Sequence, residues 1–309
     1  MNRIERVERV LNGKEPDRPP LSLWYHFGVQ HGGGARFARL ALEYFHHYDF
    51  DFLKVMNDYF YPRPGGLDAV RTRADLDRIG RFDPEASGWA EQFRALEIIG
   101  RELRGKAFFV DTVFDPWQSI KRSMAGENMK ALMEREPLAL LAALDVVTEN
   151  LIAYSLKSLE IGSAGIFLSV AAGGEIVSRE DFLRFVKPFS LRLLSAVRGR
   201  GTMNIAHIHG EDLFFDDCLD LPADALNWWD RGPQGPTLQW VKERIDGCVM
   251  GGIDHKLVAR TTRAFLRNHV RQGRELGGRT RFFLAGGCSI DTWVSPEAVK
   301  AIVEAAREE

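Results

Sequence analysis

The stretch Met203-Asn204-Ile205-Ala206-His207-Ile208-His209-Gly210 is a short apolar run that ends in two histidines one residue apart. Because side chains on a β-strand repeat every two residues, a strand here places both histidines on the same face at its carboxyl end. Two imidazoles that converge at a strand end suggest a metal site. Zinc usually takes at least three protein ligands, and the best candidate for the third is the distant thiolate of Cys288 in Gly286-Gly287-Cys288.

Similar short apolar runs, each followed by a polar or turn-forming residue, recur along the chain. They predict eight strands, over residues 21–27, 52–56, 107–114, 165–170, 203–210, 225–229, 248–252 and 281–285. Nearly all of these runs are separated by helical patterns, which include an N-terminal helix over 4–11 and a long helix over 136–161. Residues 59–87 are instead a long irregular excursion after strand 2, of a length more typical of a functional lid or loop.

This order predicts an α/β fold, a single (β/α)8 TIM barrel that forms one domain over residues 1–309; a doubly wound open sheet with a long insertion is the alternative. The active site of such a barrel lies at the carboxyl ends of its strands. Polar or ionisable residues stand at nearly all of the predicted strand ends, namely His26, Asp58, Asp111 or Asp115, Ser169, His207, His209, Asp230, Asp254 and Cys288.

Composition narrows the class of protein. The chain has 309 residues, of which 45% are hydrophobic and 27% charged, as in ordinary globular proteins. The net charge of -2 gives no electrostatic reason to expect a nucleic acid or an anionic membrane as partner. We find no apolar run near the roughly 18 to 20 residues of a spanning helix and no apolar signal-peptide core, and three widely spaced cysteines fit a reducing compartment. A cytoplasmic location is therefore expected.

Several of these side chains also have a simple structural interpretation. Asp58 could act as a general base, an orienting carboxylate or a helix cap, and its spacing alone favours the cap. Asp230 could form an ion pair with Arg231, and Asp254 could cap a helix near His255. For the aromatic residues near strand ends the simpler interpretation is packing in the core, and these are Trp24, Tyr25, Trp117, Trp228 and Trp229. Cys218 and Cys248 are likewise expected to be buried, whereas His46 and His47 are expected on the solvent-exposed face of a helix.

Motifs along the whole chain add a family resemblance. The N-terminal ones are Arg6-Val7, Asp17-Arg18-Pro19-Pro20, Tyr48-Asp49-Phe50-Asp51, Asn57-Asp58 and Pro116-Trp117. The more specific ones are His207-Ile208-His209-Gly210, Gly251-Gly252-Ile253-Asp254, and Gly286-Gly287-Cys288 followed by Ser295-Pro296-Glu297. In this order they resemble the uroporphyrinogen decarboxylase superfamily, which includes zinc-dependent methyltransferases that use a corrinoid. The resemblance implies a (β/α)8 barrel with its site at the carboxyl mouth.

Departures from the family pattern separate its two branches. The decarboxylases carry an arginine pair after strand 1, where this chain has Trp24-Tyr25-His26-Phe27-Gly28, and they have a tyrosine where this chain has Arg122 and a late histidine where it has Cys288. Asp58 and Ser169 do match decarboxylase site positions. The methyltransferases carry His-x-Cys and a distant Gly-Cys as zinc ligands, and here His209 replaces the first cysteine. A site with fewer thiolates would make zinc a stronger Lewis acid.

Our leading hypothesis is a zinc-dependent methyltransferase that moves a methyl group between a small thiol or methyl ether and a corrinoid. The corrinoid would be carried on a separate partner protein, because the chain lacks a DxHxxG signature. The metal ligands would be His207, His209 and Cys288, the catalytic residues Asp58, Arg122 and Ser169, and the cofactor-binding residues Trp24, His26, Trp228 and Asp230. The alternatives are a decarboxylase for a tetrapyrrole or smaller acid and a non-catalytic metal- or cofactor-binding barrel, and a homodimer is one expectation for the assembly.

Overall fold

The computed structural model describes residues 1–308. Eight strands of these residues form one sheet, and they are β1 Leu21–Ser22, β2 Phe52–Val55, β3 Phe108–Phe114, β4 Gly165–Ala171, β5 Ile205–His209, β6 Ala225–Trp228, β7 Cys248–Ile253 and β8 Phe282–Gly286. Neighbouring strands pair in parallel in the order β1-β8-β7-β6-β5-β4-β3-β2. A hydrogen bond of 2.9 Å from the Asp51 N–H to the Leu21 carbonyl joins the two ends of the sheet. The predicted (β/α)8 barrel is confirmed.

Helices connect the strands and surround the barrel. They are α1 Arg3–Leu11, α2 Gly34–Tyr48, α3 Arg73–Leu76, α4 Ala90–Leu103, α5 Pro116–Ile120, α6 Asn128–Arg135, α7 Pro137–Ile161, α8 Arg179–Asp181, α9 Lys187–Val197, α10 Leu238–Lys242, α11 Arg263–Gly277 and α12 Pro296–Arg307. Two π-helical segments, Lys121–Ala125 and Phe182–Val186, follow α5 and α8. Ser178 and Ser295 cap helices, since their side chains accept from the Asp181 N–H and the Ala298 N–H.

Strand β1 is much shorter than predicted. The sequence pattern favours a strand over 21–27, but the ladder ends at Ser22. Beyond it the chain pairs with the segment after β8 instead, because the Ile290 N–H donates to the Trp24 carbonyl at 2.9 Å. Trp24 is 3% exposed and its ring meets Phe167 edge-on at 5.2 Å, so apolar packing rather than a strand explains the apolar pattern.

Helix α7 is long and apolar enough to cross a membrane by length and composition alone, which corrects the expectation that the chain has no such run. Its 25 residues reach a mean hydropathy of 1.4 over 18 positions. Half of that window is buried, and the buried side chains include Leu144, Val147 and Leu151. A helix in the core of a barrel can be equally long and apolar, so this finding is weak evidence for a membrane span.

The excursion after β2 packs against the segment that follows α5. The Tyr61 N–H donates to the Ser123 hydroxyl at 2.8 Å, and the Arg63 guanidinium donates to the Ser123 carbonyl at 2.6 Å. The Asn150 amide of α7 donates to the Tyr61 hydroxyl at 2.6 Å. The excursion therefore holds the π-helical segment that contains Arg122 against the barrel.

Candidate active site

His207, His209 and Cys288 meet at the carboxyl mouth of the barrel. Their ligand atoms all lie within 4.8 Å of one another. The His207 Nε2 is 3.3 Å from the His209 Nδ1, which is 4.0 Å from the Cys288 Sγ. Tetrahedral zinc with bonds of about 2.0 to 2.3 Å separates neighbouring ligand atoms by roughly 3.3 to 3.8 Å. The three side chains are therefore placed so that they could hold a metal ion.

Asn227 on β6 determines which nitrogen His207 presents. The Asn227 amide nitrogen donates to the Met250 and Gly286 carbonyls at 3.0 and 3.1 Å, which orients the amide. Its oxygen must then accept from the His207 Nδ1–H, at 2.7 Å. A histidine whose Nδ1 is engaged in this way presents Nε2 as a ligand, as metal-binding histidines commonly do. This arrangement fits a metal centre independently of the distances.

The electrostatics of the three residues also suit a metal. Burial alone would raise the pKa of the Cys288 thiol, but His207 and His209 outweigh it and hold that pKa well below its usual range. Burial acts to lower the pKa of His209, and Cys288 reverses the effect and raises it. A thiolate is the form of cysteine that binds metals.

Two glycines allow close backbone packing beside the candidate ligands. Gly210 follows His209 with φ of +138°, and a Cβ there would lie 2.5 Å from the Gly173 backbone. A Cβ on Gly287 would lie 2.6 Å from the Trp229 backbone. Larger residues would therefore displace the ends of β5 and β8 that carry the candidate ligands.

The candidate ligands lie between two cavities. The first has a volume of about 270 Å³ and is lined by all three of them. Its other lining residues are Trp24, His26, Lys54, Met56, Thr112, Phe114, Gln118, Arg122, Phe167, Ser169 and Ser289. A second cavity of about 220 Å³ lies on the other side of the ligands and is lined by residues that include Glu175, Glu211, Trp229, His255 and Lys256. Any bound metal would thus remain accessible to a small molecule.

Most of the sequence-predicted site residues come together at the first cavity. Trp24, His26, Arg122 and Ser169 line it, and Asp58 joins them through a 2.5 Å contact between its carboxylate and the His26 Nδ1. No helix begins at Asp58, so its interpretation as a cap is wrong. Burial would raise the pKa of Asp58, but His26, Lys54 and Arg122 together hold it below its usual value.

Trp228 and Asp230 lie away from both cavities, which corrects their prediction as cofactor-binding residues. Trp228 is 0% exposed, and its indole N–H donates to the Pro236 carbonyl at 2.9 Å. The Asp230 carboxylate turns towards β7 and accepts from the Gly252 N–H at 3.0 and 3.1 Å. Both side chains are occupied by packing and hydrogen bonding between β6 and its neighbours.

Two further sequence-based interpretations are wrong. Arg231 contacts His269 and Gln272 at 3.4 and 3.3 Å instead of pairing with Asp230. Asp254 caps no helix near His255, because its carboxylate accepts from the Lys256 N–H within a turn and the next helix begins only at Arg263. Burial of Cys218 and Cys248 and exposure of His46 and His47 are confirmed.

Sequence reasoning missed three residues of this site. Asn227 was hidden inside an apolar strand, and His255, which is partly buried, has an Nδ1 without a hydrogen-bond partner among residues 1–308. Lys54 lies on β2 and is only 5% exposed, and burial lowers its pKa to about 7. In the sequence, Lys54 is the one charged residue in the apolar run Phe52-Leu53-Lys54-Val55-Met56. It comes two residues before Met56, so the two side chains lie on the same face of the strand.

The family model for uroporphyrinogen decarboxylase (URO-D) matches residues 63–309. This chain belongs to the uroporphyrinogen decarboxylase family. A uroporphyrinogen decarboxylase from Trichlorobacter lovleyi is 25% identical over 258 residues, which are 79% of this chain and 73% of that protein.

Other relatives match over less of their length. The uroporphyrinogen decarboxylase of Syntrophotalea carbinolica is 27% identical over 190 residues, 60% of this chain and 52% of that protein. The chain thus spans about half the length of that relative. Among solved structures, a methyltransferase from Methanosarcina mazei superposes with a TM-score of 0.79 at 17% identity, over 99% of this chain and 98% of that one. At this identity the likeness shows a shared fold. The observed barrel is therefore consistent with membership of the uroporphyrinogen decarboxylase family.

Proposed function

We propose that this protein is a metal-dependent methyltransferase, with zinc as the metal, which moves a methyl group between a small substrate and a corrinoid on a partner protein. The observation that carries the proposal is the convergence of His207, His209 and Cys288 beside a cavity. A site with three protein ligands and one open position is typical of catalytic zinc. Such a metal would lower the pKa of a bound thiol or polarise the oxygen of a methyl ether.

The size and lining of the first cavity support a small substrate. Its volume of about 270 Å³ lies just below the roughly 300 to 1,000 Å³ of typical ligand pockets. The segment after β1 contributes Trp24 and His26 to this cavity and carries none of the arginines that decarboxylases use to hold a tetrapyrrole's carboxylates. A small thiol or methyl ether fits these features better than a porphyrinogen does.

The chain's own residues have distinct roles in this proposal. His26 and Asp58 form a hydrogen-bonded pair beside the cavity, through which the proton of a thiol could leave the site. The Ser169 hydroxyl accepts from the Gln118 amide at 3.3 Å and would orient the substrate. Trp24 and Phe167 provide apolar walls. The name of the Methanosarcina mazei structure, a methyltransferase, also favours this branch of the family.

Decarboxylation is the second candidate, because the curated relatives are named uroporphyrinogen decarboxylases. Asp58, which lies near the buried ammonium of Lys54, could stabilise a protonated intermediate of that reaction. The zinc, the corrinoid partner, a homodimer and a cytoplasmic location all stay predictions.

Metal analysis combined with two activity assays tests the proposal. Purified protein should contain about one zinc per chain by elemental analysis, and Cys288→Ala and His209→Ala should lose it, whereas His209→Cys should keep it. Cys218→Ala is the matched control, because Cys218 is buried away from the cavities. With methylcobalamin and a series of small thiols, the wild type should form methyl thioethers and Cys288→Ala should not.

Three results would contradict the proposal. One is purified protein without stoichiometric metal whose activity survives Cys288→Ala. Another is turnover of uroporphyrinogen, which would establish the decarboxylase. Metal binding without turnover of any methyl donor or acid would favour the non-catalytic barrel.

A further inference from the structure

Lys54 is a buried cation without an oxygen partner. Its Nζ lies 2.8 Å from the Met56 thioether and 4.7 and 5.5 Å from the ring centres of Phe167 and Trp24. Within residues 1–308, no carbonyl, hydroxyl or carboxylate accepts a hydrogen bond from this ammonium. Burial of an ammonium without such a partner is costly, and nearby rings offset only part of the cost. Lys54 also lines the first cavity, so a bound molecule could supply the missing acceptor.

Arg122 adds a second positive charge to the same cavity. Its guanidinium lies 3.5 Å from the ring centre of Phe114 and makes no hydrogen bond or ion pair with residues 1–308. The π-helical segment Lys121–Ala125 holds it at the mouth of the cavity, anchored by Ser123. π-Helical turns of this kind frequently occur at functional sites.

The acidic groups nearby are already committed. Asp58 is hydrogen-bonded to His26, at 2.5 Å. Cys288, which also lines the cavity, belongs to the candidate ligand set. The cavity thus carries two cations, and no carboxylate of residues 1–308 is bonded to either of them.

We propose that Lys54 and Arg122 bind the carboxylate of a small substrate whose thiol or ether oxygen faces His207, His209 and Cys288. A carboxylate has two oxygens and can accept from an ammonium and a guanidinium at once. Such charge-assisted bonds are stronger in a buried site than in water. The inference deepens the proposed function, on which it rests for the reacting thiol or ether, but carboxylate binding can be measured without methyl transfer.

Matched ligands test this inference directly. The dissociation constants of 3-mercaptopropionate and 3-mercaptopropionamide would be measured by calorimetry on the purified, metal-analysed protein. We expect the carboxylate to bind at least about tenfold more tightly than the amide, because one charge-assisted hydrogen bond would produce that difference and two are proposed. Lys54→Met, which keeps most of the side chain without its charge, and Arg122→Gln should each weaken this preference, and the double variant should abolish it. Lys121→Met is the control, because Lys121 precedes Arg122 but lies over Trp117.

Thermal unfolding separates binding from a structural role of Lys54. Without ligand and below pH 7, where the Lys54 side chain is protonated, Lys54→Met should have a higher Tm than the wild type, because an unpaired buried charge is removed. Propionate, which has no thiol, should raise the Tm of the wild type by more than it raises that of Lys54→Met. Equal binding of the two mercapto ligands, or a carboxylate preference as large in Lys54→Met as in the wild type, would overturn the inference.

The same measurements keep the two proposals apart. A carboxylate preference that depends on Lys54, in a protein without metal or methyl transfer, supports the inference and contradicts the proposed function. Methyl transfer to neutral and anionic thiols with equal efficiency would support the proposed function and contradict the inference about Lys54 and Arg122.

Discussion

At the residue scale, the candidate metal centre depends on one amide. Asn227 is 0% exposed. Two of its hydrogen bonds fix the orientation of its own amide, and the third orients His207. Aspartate could not replace it without loss, because a carboxylate cannot donate to the Met250 and Gly286 carbonyls. The side chain that sets the ligand geometry is therefore not itself a ligand.

We predict that Asn227→Ala lowers metal affinity about 10- to 100-fold, the usual effect of removing such an orienting partner. Competition with a chromophoric chelator measures this affinity. Asn204→Ala is a matched control, because Asn204 is also buried but bonds to Ile166 and Val197 at the opposite end of β5. The prediction is wrong if both variants bind metal as the wild type does.

At the scale of elements, a buried carboxyl group, that of Asp230, links the end of β6 to β7 by hydrogen bonding. Asp230 is 8% exposed, and burial raises its pKa to about 7, against the opposing hydrogen bond from the Gly252 N–H. Because the folded-state pKa lies above the unfolded value, the folded protein holds this proton more tightly. The unfolding free energy therefore falls as the pH rises from about 4 to about 7 and stays reduced above that range.

We predict that Asp230→Asn removes this pH dependence. A rise from 3.8 to about 7 corresponds to about 4 kcal/mol at most, at about 1.4 kcal/mol per pKa unit. Guanidinium unfolding at pH 5 and pH 8 should show that the variant gains stability over the wild type between the two values. Asp246→Asn, at an exposed position, should follow the wild type. Parallel curves for Asp230→Asn and the wild type would refute the assignment.

At the scale of the molecule, stability and chemistry lie at opposite ends of the barrel. At the amino end, Asp51 is 1% exposed and accepts from Arg6 and Arg18 at 2.7 and 2.6 Å and from the Leu21 N–H at 2.8 Å. Arg6 also donates to Asp17 at 2.7 Å. This network joins α1, β1 and β2 where the sheet closes, and it involves Arg6, Asp17, Arg18 and Asp51 of the N-terminal motifs.

We predict that Arg6→Met lowers the free energy of unfolding by about 3 kcal/mol, because it deprives a buried carboxylate of one partner. Metal content of the folded variant should be unchanged, since the candidate ligands lie at the other end. Arg279→Met removes an exposed pair with Glu15 at the same end and should cost less than about 1 kcal/mol. Denaturant unfolding compares the two, and equal losses would show that burial of the network contributes nothing.

Local patterns were sufficient for the order of strands and for placing His207, His209 and Cys288 at strand ends. Short apolar runs predicted β2 to β8 to within a few residues, because a strand buried on both faces has a nearly continuous apolar sequence. The spacing of His207 and His209 likewise required only strand geometry. β1 was predicted too long, because the pattern does not distinguish a strand from a buried irregular segment such as the one that contains Trp24.

The sequence by itself determined the barrel, the three candidate ligands and their end of the sheet, because each depends on periodicity or on motifs along one segment. Only the tertiary structure decided that Trp228 and Asp230 face away from the cavity, that Asn227 orients His207, and that Lys54 lines the same cavity as Arg122. These relations join side chains from different strands. Their direction and pairing follow from strand register and barrel closure, which no local pattern encodes.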